Sequence, residues 1–329
     1  MKSDSAEIHV VAAYRHEPAE GMQIVSKTLI DGLRESGRNV TVIEPDGMSR
    51  WLPRLAAERP SCVVFTHGPG SGVVLASAVL RCTTRAHIVW VATRPDLGTA
   101  LRYPGRIRTA HSIVGNQLGP DLARVAPGAQ FLQHFIGIDT SRLGEATGES
   151  PWPELGRDRT VALHVGHLRR NRNLEVLAEA SQLLGPRIQI VVQGSPTFEA
   201  DPQLVDELES AGVIVRQGFV DNLVDLYTAA DLYLFPLQSD QAGAIELPLS
   251  VLEAVSSGLP VLTNDFGALR PALGTTTGVH FTTPARFTND LASLVAFPER
   301  LARGPSGLPD RLDASHITSA IINIAREQN

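Results

Sequence analysis

The sequence predicts an α/β protein with two doubly wound domains, each built on a parallel sheet. Apolar runs of strand length alternate with amphipathic helical segments through the first 150 residues, which is typical of βαβ units. Pro151, Pro153 and Gly156 then lie in a polar stretch, which predicts a linker over residues 145–158. The same alternation starts again after this linker, so a second domain of the same class follows.

Five strands and one well-delimited helix are predicted in the first domain. The helix is amphipathic over Met22–Ser36, and Gly37 ends it. Ligands of parallel sheets bind beyond the carboxyl ends of the strands, so the loops that follow the strands are candidate binding loops. The predicted strands are 8–14, 39–44, 61–66, 88–93 and 111–115, and the candidate loops are 15–21, 67–72 and 94–98.

The second domain has the same pattern, and a helical tail follows it. We predict the domain boundaries 1–150 and 151–309, with residues 310–329 as a carboxyl-terminal helix whose apolar positions include Ile317, Ile321 and Ile324. The predicted strands of the second domain are 161–165, 188–192, 213–217, 233–235 and 261–263, with helices that include 174–184 and 223–229.

Composition excludes several classes of protein. The chain has 329 residues, of which 43% are hydrophobic and 19% charged, so large-scale disorder is not expected. A formal net charge of −6 provides no overall basic field for nucleic acid. Cys62 and Cys82 have no spacing that suggests zinc or a disulfide framework. The apolar run near the start is about seven residues long, too short for a membrane span, and we read it as the first strand of a cytoplasmic protein without integral membrane association.

The most informative segment is 244–265, where Glu246 and Glu253 accompany the start of a helix that ends at Gly258. The first turn of a helix offers unpaired N–H groups and a positive dipole end, both of which favour phosphate. Carboxylates beside it accept hydrogen bonds from sugar or ribose hydroxyls. Phosphate and hydroxyls together describe a sugar nucleotide, with Leu249, Ser250 and Val251 as the first-turn residues.

This segment resembles the acid motif of retaining glycosyltransferases of the GT-B fold, in the large family 4 group. Their pattern is Glu, seven residues, Glu, Ala, a short helix, Gly, a small residue, Pro and Val. Glu253-Ala254, Gly258 and Pro260-Val261 match it, but Ile245 stands where the first Glu is expected and Glu246 follows one place later. Two explanations remain: a loop shortened by one residue, in which Glu246 contacts the sugar, or loss of that acid.

A second match lies at the end of the first strand of the second domain. The family carries Gly-Arg there and a Lys five or six residues later, and the two cations grip the diphosphate. Gly166 and Arg172 occupy the Gly and Lys positions, while His167 replaces the Arg. The resemblance implies that Arg172 and His167 bind the diphosphate, with Arg172 catalytic together with Glu246. The plainer alternatives are a tight turn at Gly166, a merely packed His167, and a helix-start charge at Glu253.

The resemblance implies further roles across both domains. It predicts two Rossmann-type domains facing a cleft, with the last helix crossing back to the first domain. The base of the nucleotide is expected at Gln193, Gly194, Phe219 and Val220, and the acceptor at Gly21, His67 and Arg94 of the first domain.

By resemblance, the chain retains anomeric configuration while it moves a sugar from a nucleotide diphosphate sugar, with UDP or GDP the expected nucleotide. The sequence contains no Asp-x-Asp, in agreement with a metal-free site, and no other cofactor is expected. A soluble small-molecule acceptor is favoured, because the chain is short for the family and lacks an amphipathic basic helix for a membrane surface. The rival functions are a GT-B-fold sugar-nucleotide epimerase and an inactive, glycosyltransferase-like binding subunit.

Two further enzyme classes fit the sequence less well. Glycoside hydrolysis by two carboxylates would leave Arg172 without a role. A pyridoxal-dependent phosphorylase needs a Schiff-base lysine, and the only lysines are Lys2 and Lys27, both outside the second domain. The nucleotide base, the sugar, the acceptor and the oligomeric state are not fixed by any of these patterns.

Overall fold

A computed structural model describes residues 7–16, 21–66, 68–93, 108–116, 120–149, 151–152, 155, 158–195, 197–220, 222–238 and 244–326. By its internal contacts the chain divides into two compact units. Unit 1 comprises Met1–Asp139, Gly243–Leu247 and Arg311–Asn329, and unit 2 comprises Thr140–Ala242 and Pro248–Asp310.

Unit 1 is built on a six-stranded parallel sheet. Its strands are β1 (Ile8–Val11), β2 (Val40–Ile43), β3 (Cys62–Phe65), β4 (His87–Ala92), β5 (Ser112–Gly115) and β6 (Gln130–Gln133). They lie in the order β2-β1-β3-β4-β5-β6, and every adjacent pair is parallel. The helices of this unit are α1 (Gly21–Glu35), α2 (Met48–Glu58), α3 (Ser71–Thr83), α4 (Pro120–Val125) and α11 (Ser315–Arg326).

Helices cover both faces of this sheet, which explains the uninterrupted apolar runs in its central strands. On one face, Trp90 of β4 packs in the core and its indole N–H donates to the Ser77 hydroxyl of α3 at 2.8 Å. On the other, α11 packs against α1. An added Cβ at Gly32 would lie 2.8 Å from the Thr318 hydroxyl, so the small residue permits the close approach of these two helices.

Unit 2 carries a second six-stranded parallel sheet. Its strands are β7 (Thr160–Gly166), β8 (Ile188–Gly194), β9 (Ile214–Gln217), β10 (Leu232–Phe235), β11 (Val261–Asn264) and β12 (Val279–Thr282). The order is β12-β11-β10-β7-β8-β9, that of the dinucleotide-binding Rossmann sheet. Its helices are α5 (Glu175–Leu184), α6 (Pro202–Ser210), α7 (Leu223–Ala229), α8 (Leu249–Ser256), α9 (Leu269–Leu273) and α10 (Phe287–Ala296).

The doubly wound parallel architecture of both units confirms the predicted fold class, and all ten predicted strands are present. β1 ends at Val11 rather than at residue 14, where its parallel pairing with β2 and β3 stops. The sequence analysis did not predict β6 and β12. Both are edge strands with partly exposed side chains, and polar residues interrupt their apolar runs.

Two segments pack with a different unit from the one that the sequence indicated. Residues from Thr140 onward belong to unit 2, because the Thr147 backbone N–H and hydroxyl both donate to the Asp225 carboxylate of α7 at 2.8 Å. Gly243–Leu247 belongs to unit 1, although its chain neighbours on both sides are in unit 2. A third segment, Arg311–Asn329, lies in unit 1, the unit to which the last helix was expected to return, and the Ile138 N–H donates to the Leu312 carbonyl at 3.2 Å.

Candidate functional site

The candidate site of unit 2 lies at the carboxyl edge of its sheet, between β7 and β10. These neighbouring strands mark the point where the strand order reverses, and such points form ligand crevices in α/β sheets. The Tyr233 hydroxyl of β10 donates to the Val165 carbonyl of β7 at 3.2 Å and is hydrogen-bonded to the side chain of Ser250. The first turn of α8 is therefore held beside the end of β7.

Gly166 ends β7 in an extended conformation, so it does not serve a left-handed turn. An added Cβ would lie 2.8 Å from Nε2 of His164, whose ring fills that space. The Nδ1 atom of His164 is hydrogen-bonded to the Leu234 carbonyl at 2.9 Å, and complete burial lowers the pKa of the imidazole to about 4. His164 is consequently neutral at pH 7, with its proton on Nδ1 and a lone pair on Nε2.

Arg172 and His167 are brought together by the turn after β7. The chain forms a 3-10 turn over Arg170–Arg172, and Nη2 of Arg172 lies 3.3 Å from Nδ1 of His167. The edge of the His167 ring also meets Phe198, with ring centroids 4.6 Å apart. His167 therefore packs against Phe198 and also lies next to Arg172. A packed His167 and a His167 that binds the diphosphate are compatible alternatives.

Arg170, in the same 3-10 turn, forms ion pairs with carboxylates instead. Its guanidinium donates to Glu207 at 2.7 Å and to Glu175 at 3.2 Å on the surface of α5 and α6. Arg170 thus belongs to a surface ion-pair network, whereas Arg172 lies beside His167 in the turn after β7.

The first turn of α8 offers fewer free donors than its sequence suggests. Pro248 is the N-cap and supplies no side-chain acceptor. The Val251 N–H already donates to the Pro248 carbonyl at 3.2 Å, and the side chains of Leu249 and Val251 are buried. Ser250 is the partly exposed residue of this turn, and its side chain faces Tyr233.

Glu253 lies one turn further along α8, and the residue is buried. Nη1 of Arg142 donates to Oε1, and the Tyr227 hydroxyl donates to Oε2 at 2.7 Å. Sequence reasoning missed both contacts, because Arg142 precedes Glu253 by 111 positions and no local periodicity links them.

Of the four residues predicted to meet the base, Gln193 and Gly194 end β8, and Phe219 and Val220 follow β9. Nε2 of Gln193 donates to the Gly218 carbonyl at 3.1 Å and so anchors the loop after β9. An added Cβ at Gly194 would lie 2.6 Å from Leu168. Phe219 is 71% exposed, whereas Val220 is partly buried. A flat apolar ring open to solvent at this edge is suited to stacking on a planar ligand.

Glu246 packs in unit 1, at the carboxyl edge of the first sheet. Its backbone N–H donates to the carbonyl of Thr93, which follows β4, at 2.8 Å. Its carboxylate, 5% exposed, accepts a hydrogen bond from Nδ2 of Asn116, which follows β5, at 3.2 Å. Asn116 is fixed in turn, because its Oδ1 accepts from the Ile136 N–H at 2.7 Å.

The predicted acceptor residues are described in part. Gly21 is the first residue of α1, in the connection that follows β1. His67 and Arg94 lie outside the described residues. Within the described ranges, no group of three or more His, Cys, Asp or Glu side chains is arranged to hold a metal ion. Among the helices in these ranges, none has the length and apolar content to cross a bilayer.

Comparison with known proteins agrees with this geometry. Residues 159–296, which comprise most of unit 2 and the segment Gly243–Leu247, match the family model described as Glycosyl transferases group 1. The D-inositol 3-phosphate glycosyltransferase of Rhodococcus jostii (strain RHA1) is 30% identical over 186 residues, which cover 50% of this chain and 40% of that protein. The chain thus spans less than half of the length of this curated relative.

Two solved structures resemble the whole chain. Sucrose-phosphate synthase from Thermosynechococcus elongatus has a TM-score of 0.69 at 15% identity, and the match covers 98% of both chains. The Anabaena protein HepE in complex with UDP has a TM-score of 0.67 at 13% identity, again over 98% of both chains. These similarities, together with the two parallel sheets, confirm the predicted GT-B fold.

Proposed function

We propose that this chain is a glycosyltransferase that moves a sugar from a nucleotide diphosphate sugar to a small-molecule acceptor. The observation that carries the proposal is the grouping at the β7–β10 edge, within a group 1 glycosyltransferase domain, of Gly166, Arg172 and the first turn of α8. A strand end, a guanidinium and a helix N-terminus together favour an anionic, phosphate-bearing ligand.

We assign binding of the donor to unit 2 and binding of the acceptor to unit 1. In unit 2, Arg172 stabilises the leaving diphosphate as negative charge builds up, assisted by His167 and by the dipole of α8. Glu253 accepts hydrogen bonds from the ribose, and the base stacks on Phe219. Unit 1 binds the acceptor at the carboxyl edge of its sheet, where Glu246 contacts the acceptor or the transferred sugar.

UDP is the proposed nucleotide, since a structural neighbour of the same fold is described in complex with it. A small-molecule acceptor is supported by the curated relative, whose name specifies an inositol phosphate. Transfer with retention of configuration, without a metal ion, completes the proposal. Arg172 neutralises the negative charge that builds up on the oxygens of the leaving diphosphate, so the leaving group is stabilised without a metal ion.

A panel of nucleotide sugars tests the proposal directly. Thermal unfolding with UDP-, GDP-, ADP- and dTDP-sugars identifies the donor, since a ligand at a hundred times its Kd stabilises the native state by about 2.7 kcal/mol. Release of free nucleotide then shows turnover, a chelator tests the metal requirement, and NMR of the product gives the anomeric configuration. Absence of stabilisation by every donor would contradict the proposal.

A second candidate is a binding subunit that holds the nucleotide sugar without transferring it. It is favoured by the position of Glu246 in unit 1 and by Ile245 at the place of the first acid. Stabilisation by a donor without nucleotide release, tested with a broad set of acceptors, would favour this candidate. An epimerase would instead convert the sugar of the donor while the nucleotide stays attached.

A further inference from the structure

Glu253 is held by two side chains, one on each carboxylate oxygen. Arg142 donates to Oε1, and the Tyr227 hydroxyl donates to Oε2 at 2.7 Å. An ionised carboxylate has about four acceptor positions, so each oxygen keeps one position after these bonds. Two vicinal hydroxyls, such as those of a ribose, require that number of acceptors.

Tyr227 is a permanent donor to this carboxylate. Its side chain on α7 is fully buried, and burial followed by the neighbouring Glu253 raises the pKa of the phenol well above its usual value. The hydroxyl therefore stays protonated. Its ring packs against Tyr233 with centroids 5.9 Å apart, so the position of the hydroxyl is set by the core.

Arg142 reaches Glu253 from the 3-10 turn Thr140–Leu143, which packs against α8. The segment that follows this turn is anchored on the same unit, because Thr147 is bonded twice to Asp225 of α7. The Arg142 side chain is 23% exposed, against 5% for that of Glu253, so the arginine is the more accessible partner of this pair.

Glu253 is connected through α8 to the candidate site at the carboxyl edge of the sheet, between β7 and β10. Glu253 follows Ser250 by three positions on α8, so the two side chains share one face of the helix. Ser250 is in turn bonded to Tyr233, whose hydroxyl contacts Val165 next to Gly166. A core residue at this position would be apolar, since burial of a carboxylate costs several kcal/mol that partners have to offset.

We propose that Arg142 and Tyr227 are positioning residues, which orient the Glu253 carboxylate so that its remaining lone pairs accept the two ribose hydroxyls of the nucleotide. This inference rests on the proposed function. If Arg142 and Tyr227 have this role, the preference of unit 2 for ribonucleotides over deoxyribonucleotides depends on two residues that do not touch the ligand.

Calorimetric titration with UDP, 2′-deoxy-UDP and 3′-deoxy-UDP tests this assignment. The wild-type protein is expected to prefer UDP by about tenfold or more over each deoxy form, because each deoxy form lacks one hydrogen bond to the charged carboxylate. Tyr227→Phe is expected to reduce this ratio to about threefold or less. Arg142→Gln, at a partly exposed position, should reduce it as well, and it provides the test if Tyr227→Phe does not fold.

Tyr233→Phe is the matched control. Tyr233 is also fully buried and belongs to the same aromatic pair, but its hydroxyl contacts Val165 and Ser250 rather than Glu253. This variant should lose stability and overall affinity while it keeps the ratio of UDP to deoxy-UDP. An unchanged ratio in both Tyr227→Phe and Arg142→Gln would overturn the inference alone. Failure of the wild-type protein to bind any nucleoside diphosphate in the donor panel would overturn both it and the proposed function.

Discussion

Nε2 of His164 occupies the space that a side chain on Gly166 would need, at 2.8 Å from an added Cβ. The two residues lie two positions apart on β7, so they point to the same face of the sheet. The glycine at the strand end is thus a consequence of the buried imidazole beside it, and the backbone at this edge is left uncovered for a ligand.

Gly166→Ala should destabilise the protein by about 1–3 kcal/mol, because the methyl group overpacks a fully buried ring. Urea unfolding measures the change. His164→Ala alone leaves a cavity, but the double variant should lose less than the sum of the two single losses, since the methyl group then enters vacant space. Strict additivity of the two losses would contradict the contact.

The pH dependence of stability should carry a contribution from His164. Burial lowers its pKa from 6.5 to about 4 in the native state, so between these values the unfolded chain binds a proton that the native state does not. Stability is therefore full above pH 6.5 and falls as the pH drops towards 4, by about 3 kcal/mol from this residue. His164→Gln should make the fall of stability in this window smaller, measured by denaturant unfolding at pH 7, 5.5 and 4.

Arg172→Ala should reduce turnover by about a hundredfold, because a charge-assisted donor to the leaving group acts most strongly in the transition state. Steady-state rates with the best donor measure the change. Arg170→Ala is the control, since Arg170 is bonded to Glu207 and Glu175 on the surface. Equal rates in both variants, or a loss below about threefold for Arg172→Ala, would remove Arg172 from the mechanism.

Glu246→Ala should abolish transfer but leave the affinity of unit 2 for bare nucleoside diphosphate within about twofold, because Glu246 packs in unit 1. The loss of its bond with Asn116 should also cost about 1–3 kcal/mol of stability, since the Asn116 amide is buried. Calorimetry with nucleoside diphosphate and a transfer assay separate the two effects. Asn116→Ala provides the comparison, as it removes the same bond and retains the carboxylate. A Glu246→Ala variant with normal transfer would exclude this residue from the site.

Local patterns were sufficient to predict much of the fold. Strand-length apolar runs predicted ten of the strands in the two sheets. Eight of these are central parallel strands, which are covered on both faces and therefore need not alternate polar and apolar residues. The edge strands β6 and β12 lack that burial, and their patterns were too weak to predict. The helix that begins at Leu249 and the strand end at Gly166 were predicted from apolar spacing and from the family resemblance.

The sequence by itself therefore determined the α/β class, the two-domain plan, the strand positions and the resemblance on which the donor site was predicted, since these depend on short-range periodicity and spacing. Only the tertiary structure decided which side chains surround Glu253, why position 166 is a glycine, and that Glu246 packs in unit 1 while Glu253 packs in unit 2. Arg142 and Glu253 are 111 positions apart, and Asn116 and Glu246 are 130 apart. Contacts at such separations arise when parallel strands and their helices bring distant segments to one sheet edge, and no local pattern encodes them.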